Sequence, residues 1–302
     1  MILEIQYPLL LDGGLSNALA SQGCDLNHRL WSASLLEKNP EAIIQAHLAY
    51  LKAGAQCLIT SSYQASIPGF LEAGYDQESA KKLLLKSIQL AAEAIKRHHH
   101  LTSTSDKIWI AVSIGPYGAY LADGSEYRGD YGLTDQELYA FHQARIQILD
   151  QTSADFFACE TIPSFQEARV LAEILKNTQH PAWVSFSCKD AAHLNDGTPL
   201  KKALALFARH PNVFALGVNC THPKYISDII PTVRKYAPEK RVIAYPNSGE
   251  AYHAETKTWQ GISDPDAFAA MASEWISLGV DILGGCCRIG PEHIEKLKDK
   301  LS

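Results

Sequence analysis

Two rhythms of apolar and polar positions alternate along the chain. Short runs of consecutive apolar residues occupy 7–14 (YPLLLDGG), 57–63 (CLITSSY), 108–115 (IWIAVSIG), 155–162 (DFFACETI), 182–188, 213–220, 241–247 and 281–287. Between them lie longer stretches in which apolar residues recur every three or four positions, the spacing of one helical face. The first such stretch, 41–53, puts Ile44, Leu48 and Leu51 on one side and is preceded by Asn39 and Pro40, an N-cap followed by proline at the first helical position. A second covers 78–95, with Leu84, Ile88, Ala92 and Ile95 on one stripe. Thr134 with Glu137, and Ser164 with Glu167, have the spacing of capping boxes and predict two more helix starts. Asp264-Pro265 opens a helix reaching about residue 278, and 291–301 reads as a last one.

Eight strand-then-helix units predict an α/β fold, a (β/α)₈ TIM barrel formed as one domain over 1–302. The apolar runs are nearly continuous, as in strands covered on both faces. A doubly wound open sheet is the alternative, but it calls for a glycine-rich fingerprint after the first strand. The sequence there is Asp12-Gly13-Gly14-Leu15-Ser16. The longest stretch without either rhythm, 116–133, is of a length that in compact domains often serves function.

Composition narrows the class. A hydrophobic fraction of 46% and a charged fraction of 20% over 302 residues suit a soluble globular protein. The formal net charge of -6, with no run of lysine or arginine, argues against a nucleic-acid partner. The N-terminus lacks a basic region ahead of a long apolar segment, and no stretch of about 18 apolar residues occurs, so neither a signal peptide nor a membrane span is expected. A cytoplasmic monomer or small homo-oligomer is the default. The odd count of seven cysteines, at 24, 57, 159, 188, 220, 286 and 287, favours free thiols or metal ligands over disulfides.

In a barrel the C-terminal strand ends converge on one face, the face that carries chemistry. Here those ends hold Asp12-Gly13-Gly14, Ser61-Ser62-Tyr63, Cys159-Glu160-Thr161, Asn219-Cys220, Pro246-Asn247-Ser248 and Gly285-Cys286-Cys287. Strands six and eight are separated by one strand, so Cys220, Cys286 and Cys287 can surround a single point. Three sulfurs suit Zn²⁺, and three protein ligands leave a coordination position for substrate. The competing reading is that a buried cysteine is a small hydrophobe. That reading fits Cys24, Cys57, Cys159 and Cys188, and fits a vicinal pair after two glycines less well. Glu160 ends an apolar strand, where a carboxylate needs a partner; it reads as an anchor for a substrate ammonium or as an ion pair with a neighbouring loop. Asp12 has the same two readings, or that of a turn residue. Asn247 either bonds substrate or belongs to an ordinary Pro-Asn-Ser-Gly turn. Tyr63, Tyr117 and Trp31 supply either a cation-binding wall or core packing. His98-His99-His100 reads as a solvated helix end rather than a metal motif.

The segments LLDGG, ITSSYQAS, SIGPYGAYLADGSEYRGDY, ACETIP, GVNC, YPNSGE and GGCCR together resemble the homocysteine S-methyltransferase family over essentially the whole chain. The resemblance implies a (β/α)₈ barrel with catalytic zinc on Cys220, Cys286 and Cys287. It also implies that Asp12, Gly13 and Glu160 line a homocysteine site. The loop GPYGAYLADGSEYRGDY is similar to that of the branch using S-methylmethionine as the sulfonium methyl donor. Two readings from other classes stand beside this one. One is a redox or metal-sensing barrel without methyl transfer. The other is a glycosidase using Asp12 and Glu160 as its carboxylate pair.

Overall fold

A computed structural model describes residues 5–26, 30–253, 258–261 and 263–301. Eight parallel strands form the barrel: β1 (Leu9–Leu10), β2 (Cys57–Ile59), β3 (Trp109–Ile114), β4 (Phe156–Ile162), β5 (Ala182–Phe186), β6 (Val213–Asn219), β7 (Arg241–Tyr245) and β8 (Ile282–Leu283). Each strand pairs with its sequence neighbours, and β8 pairs with β1 through Leu9 opposite Ile282. A parallel bridge from Leu11 to Cys57 joins β1 to β2 and completes the ring.

Period-two alternation divides each strand's side chains between two cores. Leu9, Leu11, Cys57, Ala111, Phe156, Ala158, Trp183, Ala215, Ile243 and Ile282 pack inside the barrel. Leu10, Leu58, Val112, Phe157, Cys159, Val184 and Leu216 face the surrounding helices. The lower interior is filled with aromatic rings: Phe156 lies 5.2 Å from Trp109 and 5.1 Å from Phe214, centroid to centroid. The interior is therefore closed below, and access is from the C-terminal face.

The helix predicted over 41–53 spans Pro40–Ala53, and the Asn39 side chain accepts from the Ala42 N–H as its cap. The stretch 78–95 extends to Gln77–Thr102, so the three consecutive histidines lie within the helix near its C-terminus, His99 and His100 in its last turn. Thr134 and Glu137 form the complete capping box of Asp135–Leu149. Ser164 caps Phe165–Leu175, but Glu167 does not reciprocate. Its carboxylate is buried and accepts from the Tyr117 backbone N–H, His142 Nε2 (2.7 Å) and the Tyr131 hydroxyl (3.0 Å). Tertiary partners offer Glu167 more than its own N-terminus does.

The stretch 116–133 is not a plain loop. It contains a helical turn, Tyr117–Leu121, and a 3₁₀ turn, Ser125–Tyr127. These fold against one another so closely that a Cβ on Gly118 would lie 2.8 Å from Glu126 Cα. Helices Leu200–Phe207 and Ile226–Tyr236 supply the units the apolar spacing left unassigned; Pro231 lies inside the latter. No helix among the described residues is long and apolar enough to cross a membrane.

Candidate metal centre

Short strand ends and close backbone packing bring the three cysteines together. After β8 the chain turns through Gly284 and Gly285 and is pinned by Gly285 N–H to Asp12 O (3.1 Å) and Cys286 N–H to Pro246 O (2.9 Å). A Cβ on Gly284 would sit 2.6 Å from Leu11 Cβ, and one on Gly14 would sit 2.6 Å from the Cys286 carbonyl oxygen. Only glycine lets these backbones meet. Cys220 follows β6 at φ 47°, and Thr161 at the end of β4 has φ 60°. Left-handed backbone is unfavourable for both residue types, Thr161 most of all because it is β-branched, and such strain collects at functional sites.

Cys220 Sγ lies 2.6 Å from Cys286 Sγ and 3.4 Å from Cys287 Sγ, and all three sulfurs fall within 4.8 Å of one another. Sulfurs on one tetrahedral zinc at about 2.3 Å stand roughly 3.8 Å apart, so small side-chain movements accommodate the ion. The set also fits by charge. Hydrogen bonds from Cys220 and Cys286 hold the Cys287 thiol well below its ordinary range. The contacts of Cys286 with Cys220 and Cys287, together with burial, push its thiol well above that range. Three thiolates at this spacing repel one another, and a divalent ion lets all three ionise. No other group of three or more metal-ligating side chains converges among the described residues, the histidine triplet included.

Outer contacts orient the cluster. Buried Asn219 accepts from the Thr161 N–H (2.6 Å) and Ser185 hydroxyl (2.9 Å), and donates to Thr161 Oγ1 (2.7 Å) and toward Cys286 Sγ (3.8 Å). The Tyr127 hydroxyl lies 3.6 Å from Cys220 Sγ.

Beside the sulfurs opens a pocket lined by Gly13, Gly14, Tyr63, Glu126, Tyr127 and Glu160, among others. Glu160 points inward because Phe156 and Ala158 do, four and two residues before it. Its carboxylate accepts from the Ser113 hydroxyl and is hydrogen-bonded to Tyr245, yet burial pushes its pKa to about 7. Asp12 is buried below Gly13; its Oδ2 accepts from the Ile59 N–H (2.9 Å) and its Oδ1 has no partner. Burial holds it well above the usual carboxylate range. Asn247 caps its own turn, its Oδ1 accepting from the Gly249 N–H (3.0 Å). Tyr117 packs away from the pocket, 4.9 Å from the Phe141 ring. The Trp31 side chain lies outside the described residues. Cys57 and Cys159 are buried in apolar packing, and burial raises both thiols, Cys159 to about 12.

Sequence reasoning missed Glu126, Tyr127, Asn219 and Tyr245. Asn219 stood beside a predicted ligand and was the most accessible to such reasoning. Glu126 lies in the long loop, buried at 8% exposure, its Oε2 unpartnered and its pKa pushed by burial to about 7.

A sequence profile of the homocysteine S-methyltransferase family matches residues 9–301. The homocysteine S-methyltransferase YbgG of Bacillus subtilis (strain 168) is 44% identical over 296 residues, 96% of this chain and 94% of that one. The homocysteine S-methyltransferase of Escherichia coli (strain K12) is 44% identical over 301 residues, 98% of this chain and 96% of that one. The crystal structure of the homocysteine methyltransferase MmuM from Escherichia coli, metallated form, superposes with a TM-score of 0.88 at 40% identity, covering 99% of this chain and 98% of that one.

Proposed function

The chain belongs to the homocysteine S-methyltransferase family, and on that premise we propose that it transfers a methyl group from S-methylmethionine to the thiol of L-homocysteine, with zinc on Cys220, Cys286 and Cys287. S-adenosylmethionine is a poorer donor in this reading. The observation that carries it is the meeting of three sulfurs with a buried, inward-facing carboxylate in one pocket at the C-terminal face.

A free thiol has a pKa of about 8.5, so only a few per cent is nucleophilic at neutral pH. Bound zinc supplies the positive charge that keeps the homocysteine thiol ionised. Three cysteinates outweigh two positive charges, so the site stays anionic and attracts a sulfonium. The thiolate electron pair forms the new S–CH₃ bond, the donor's C–S pair returns to the donor sulfur, and both charges vanish. Two thioethers, both methionine, leave the site.

The chain's own residues hold the reactants. Glu160, fixed by Ser113 and Tyr245, takes the homocysteine ammonium. The backbone of Gly13, with Asp12 beneath it, borders that amino-acid end, and Tyr63 forms the wall. Asn219 fixes Thr161 and Cys286, which sets the distance from strand four to the metal ligands. Asn247 acts through its turn, where the Ser248 N–H holds the Cys287 carbonyl (3.2 Å). Holding sulfur and methyl close and aligned supplies the rest of the rate.

The test is a donor panel with homocysteine: S-methylmethionine, S-adenosylmethionine, betaine and methylfolate. S-methylmethionine is expected to give the highest kcat/KM, and a higher value for betaine or methylfolate overturns the donor assignment. Ammonium recognition also makes a pH prediction. Glu160 must be ionised to act, so its advantage is present above about pH 7 and lost as pH falls through that value. The ratio of kcat/KM for homocysteine, wild type over Glu160→Gln, should therefore shrink on acidification below about pH 7. A ratio constant from pH 8 to 5.5 removes Glu160 from this role.

A further inference from the structure

The proposed reaction brings three positive charges to one pocket: the homocysteine ammonium, the donor ammonium and the donor sulfonium. Among the described residues the pocket is lined by two carboxylates, Glu126 and Glu160, and by no lysine, arginine or histidine. Glu160 has Ser113 and Tyr245 as partners. Glu126 has one oxygen to spare. Its Oε2 is buried without a hydrogen-bond partner, at a residue only 8% exposed. The nearest cation along the chain, Arg128, is exposed and acts on Glu126 only at a distance, its guanidinium donating to Ser125 Oγ (2.8 Å) and reaching Asp123 (3.5 Å). A buried carboxylate without partner is costly unless a ligand supplies the charge.

A second orphan acceptor stands in the same pocket. Gln64 donates through Nε2 to the Ala119 carbonyl (3.0 Å), which fixes its amide orientation and leaves Oε1 buried and unpartnered. Ala119 and Glu126 belong to the same folded loop. Tyr127, next to Glu126, reaches Cys220 Sγ at 3.6 Å. The two orphan acceptors thus line the same pocket as the three cysteines, the pocket a donor must enter to meet a nucleophile there.

We propose that Glu126, assisted by Gln64 Oε1, is the specificity-determining contact that recognises the positive charge on the donor's sulfur. This rests on the methyl-transfer reading above. Methionine and S-methylmethionine differ only by that methyl and its charge, so Glu126 separates donor from product. The charge fades as the methyl moves. Glu126 therefore favours the bound donor over the transition state, and its loss is carried by KM.

The experiment compares wild type, Glu126→Gln and Glu126→Asp. Glu126→Gln is expected to raise the KM for S-methylmethionine about thirtyfold, the scale of a buried charge contact. The homocysteine KM, and the Ki of methionine competing with the donor, should change by less than about threefold. Glu126→Asp should fall between the two in donor KM. The ligand-free Tm of Glu126→Gln should equal or exceed that of wild type, because an unpaired buried acid has gone. A donor KM within threefold of wild type, an equal rise in methionine Ki, or a lowered Tm each overturns the assignment. If wild type itself turns over no sulfonium donor with homocysteine, it is the proposed function that fails, not this contact.

Discussion

Cys286→Ser is expected to lose bound zinc and methyl transfer together, with kcat/KM falling on the order of 10³-fold or more. A serine hydroxyl is a hard donor that does not ionise near neutral pH, so the replacement leaves two thiolates where a catalytic zinc takes three ligands. The change also removes the sulfur toward which Asn219 Nδ2 is directed at 3.8 Å, loosening the contact that ties Thr161 to the ligands. Metal content of purified protein and methionine formation from homocysteine are the two measurements. Wild type stripped by a chelator should fall silent in the same way and recover on adding zinc, whereas the variant should not. Retention of both metal and activity in Cys286→Ser would falsify the ligand assignment. Activity persisting in metal-free wild type would remove zinc from the scheme altogether.

Glu167→Ala should have the largest effect on folding, about 3–5 kcal/mol, because it breaks a buried ionic network from one side. Glu167 and His142 have side chains fully shielded from solvent, and Arg145 is buried beside them at 2% exposure. Arg145 donates toward His142 Nδ1 (2.9 Å) and to the Gly115 carbonyl, while Glu167 binds His142, the Tyr117 N–H and the Tyr131 hydroxyl. Burial lowers Arg145 to about 10, still charged at neutral pH. Removing the carboxylate strands that cation and three donors in an apolar setting. A drop in Tm of roughly 10 °C follows from the usual conversion for a chain of this size. Glu167→Gln keeps an acceptor but not the charge and should lie between. Because Tyr117 and Tyr131 bracket the segment carrying Glu126 and Tyr127, the folded fraction of Glu167→Ala should also bind the sulfonium donor more weakly. A Tm unchanged within about 2 °C would show that the network is not what anchors this segment.

Much of this protein was legible along the chain. Strands buried on both faces read as continuous apolar runs, and the strongest caps, Asn39-Pro40 and Thr134 with Glu137, mark helix starts that the structure keeps. Local signals suffice there because the interactions themselves are local, spanning three or four residues. Eight such units leave few ways to bury every strand, so the barrel followed from their count, and with it the convergence of Cys220 and the vicinal pair on one face. The polar residues at strand ends announced a site for the same reason: apolar packing has no use for them.

What tertiary structure alone decided are matters of partner choice. Ser164 and Glu167 have the same spacing as Thr134 and Glu137, yet Glu167 leaves its own helix end for His142, Tyr117 and Tyr131, because those distant groups form a buried network its N-terminus could not match. Glu126 lies in the long stretch 116–133, and its side chain is buried only because that stretch folds on Gly118. Asn247 and Tyr117 drew attention as residues near strand ends, but their side chains are taken up by a turn and by ring packing. Residue type and spacing set which elements form and which end of the barrel carries chemistry. Which carboxylate is shielded, paired or left with an empty acceptor depends on contacts between residues far apart in the chain, and these exist only once the barrel has closed.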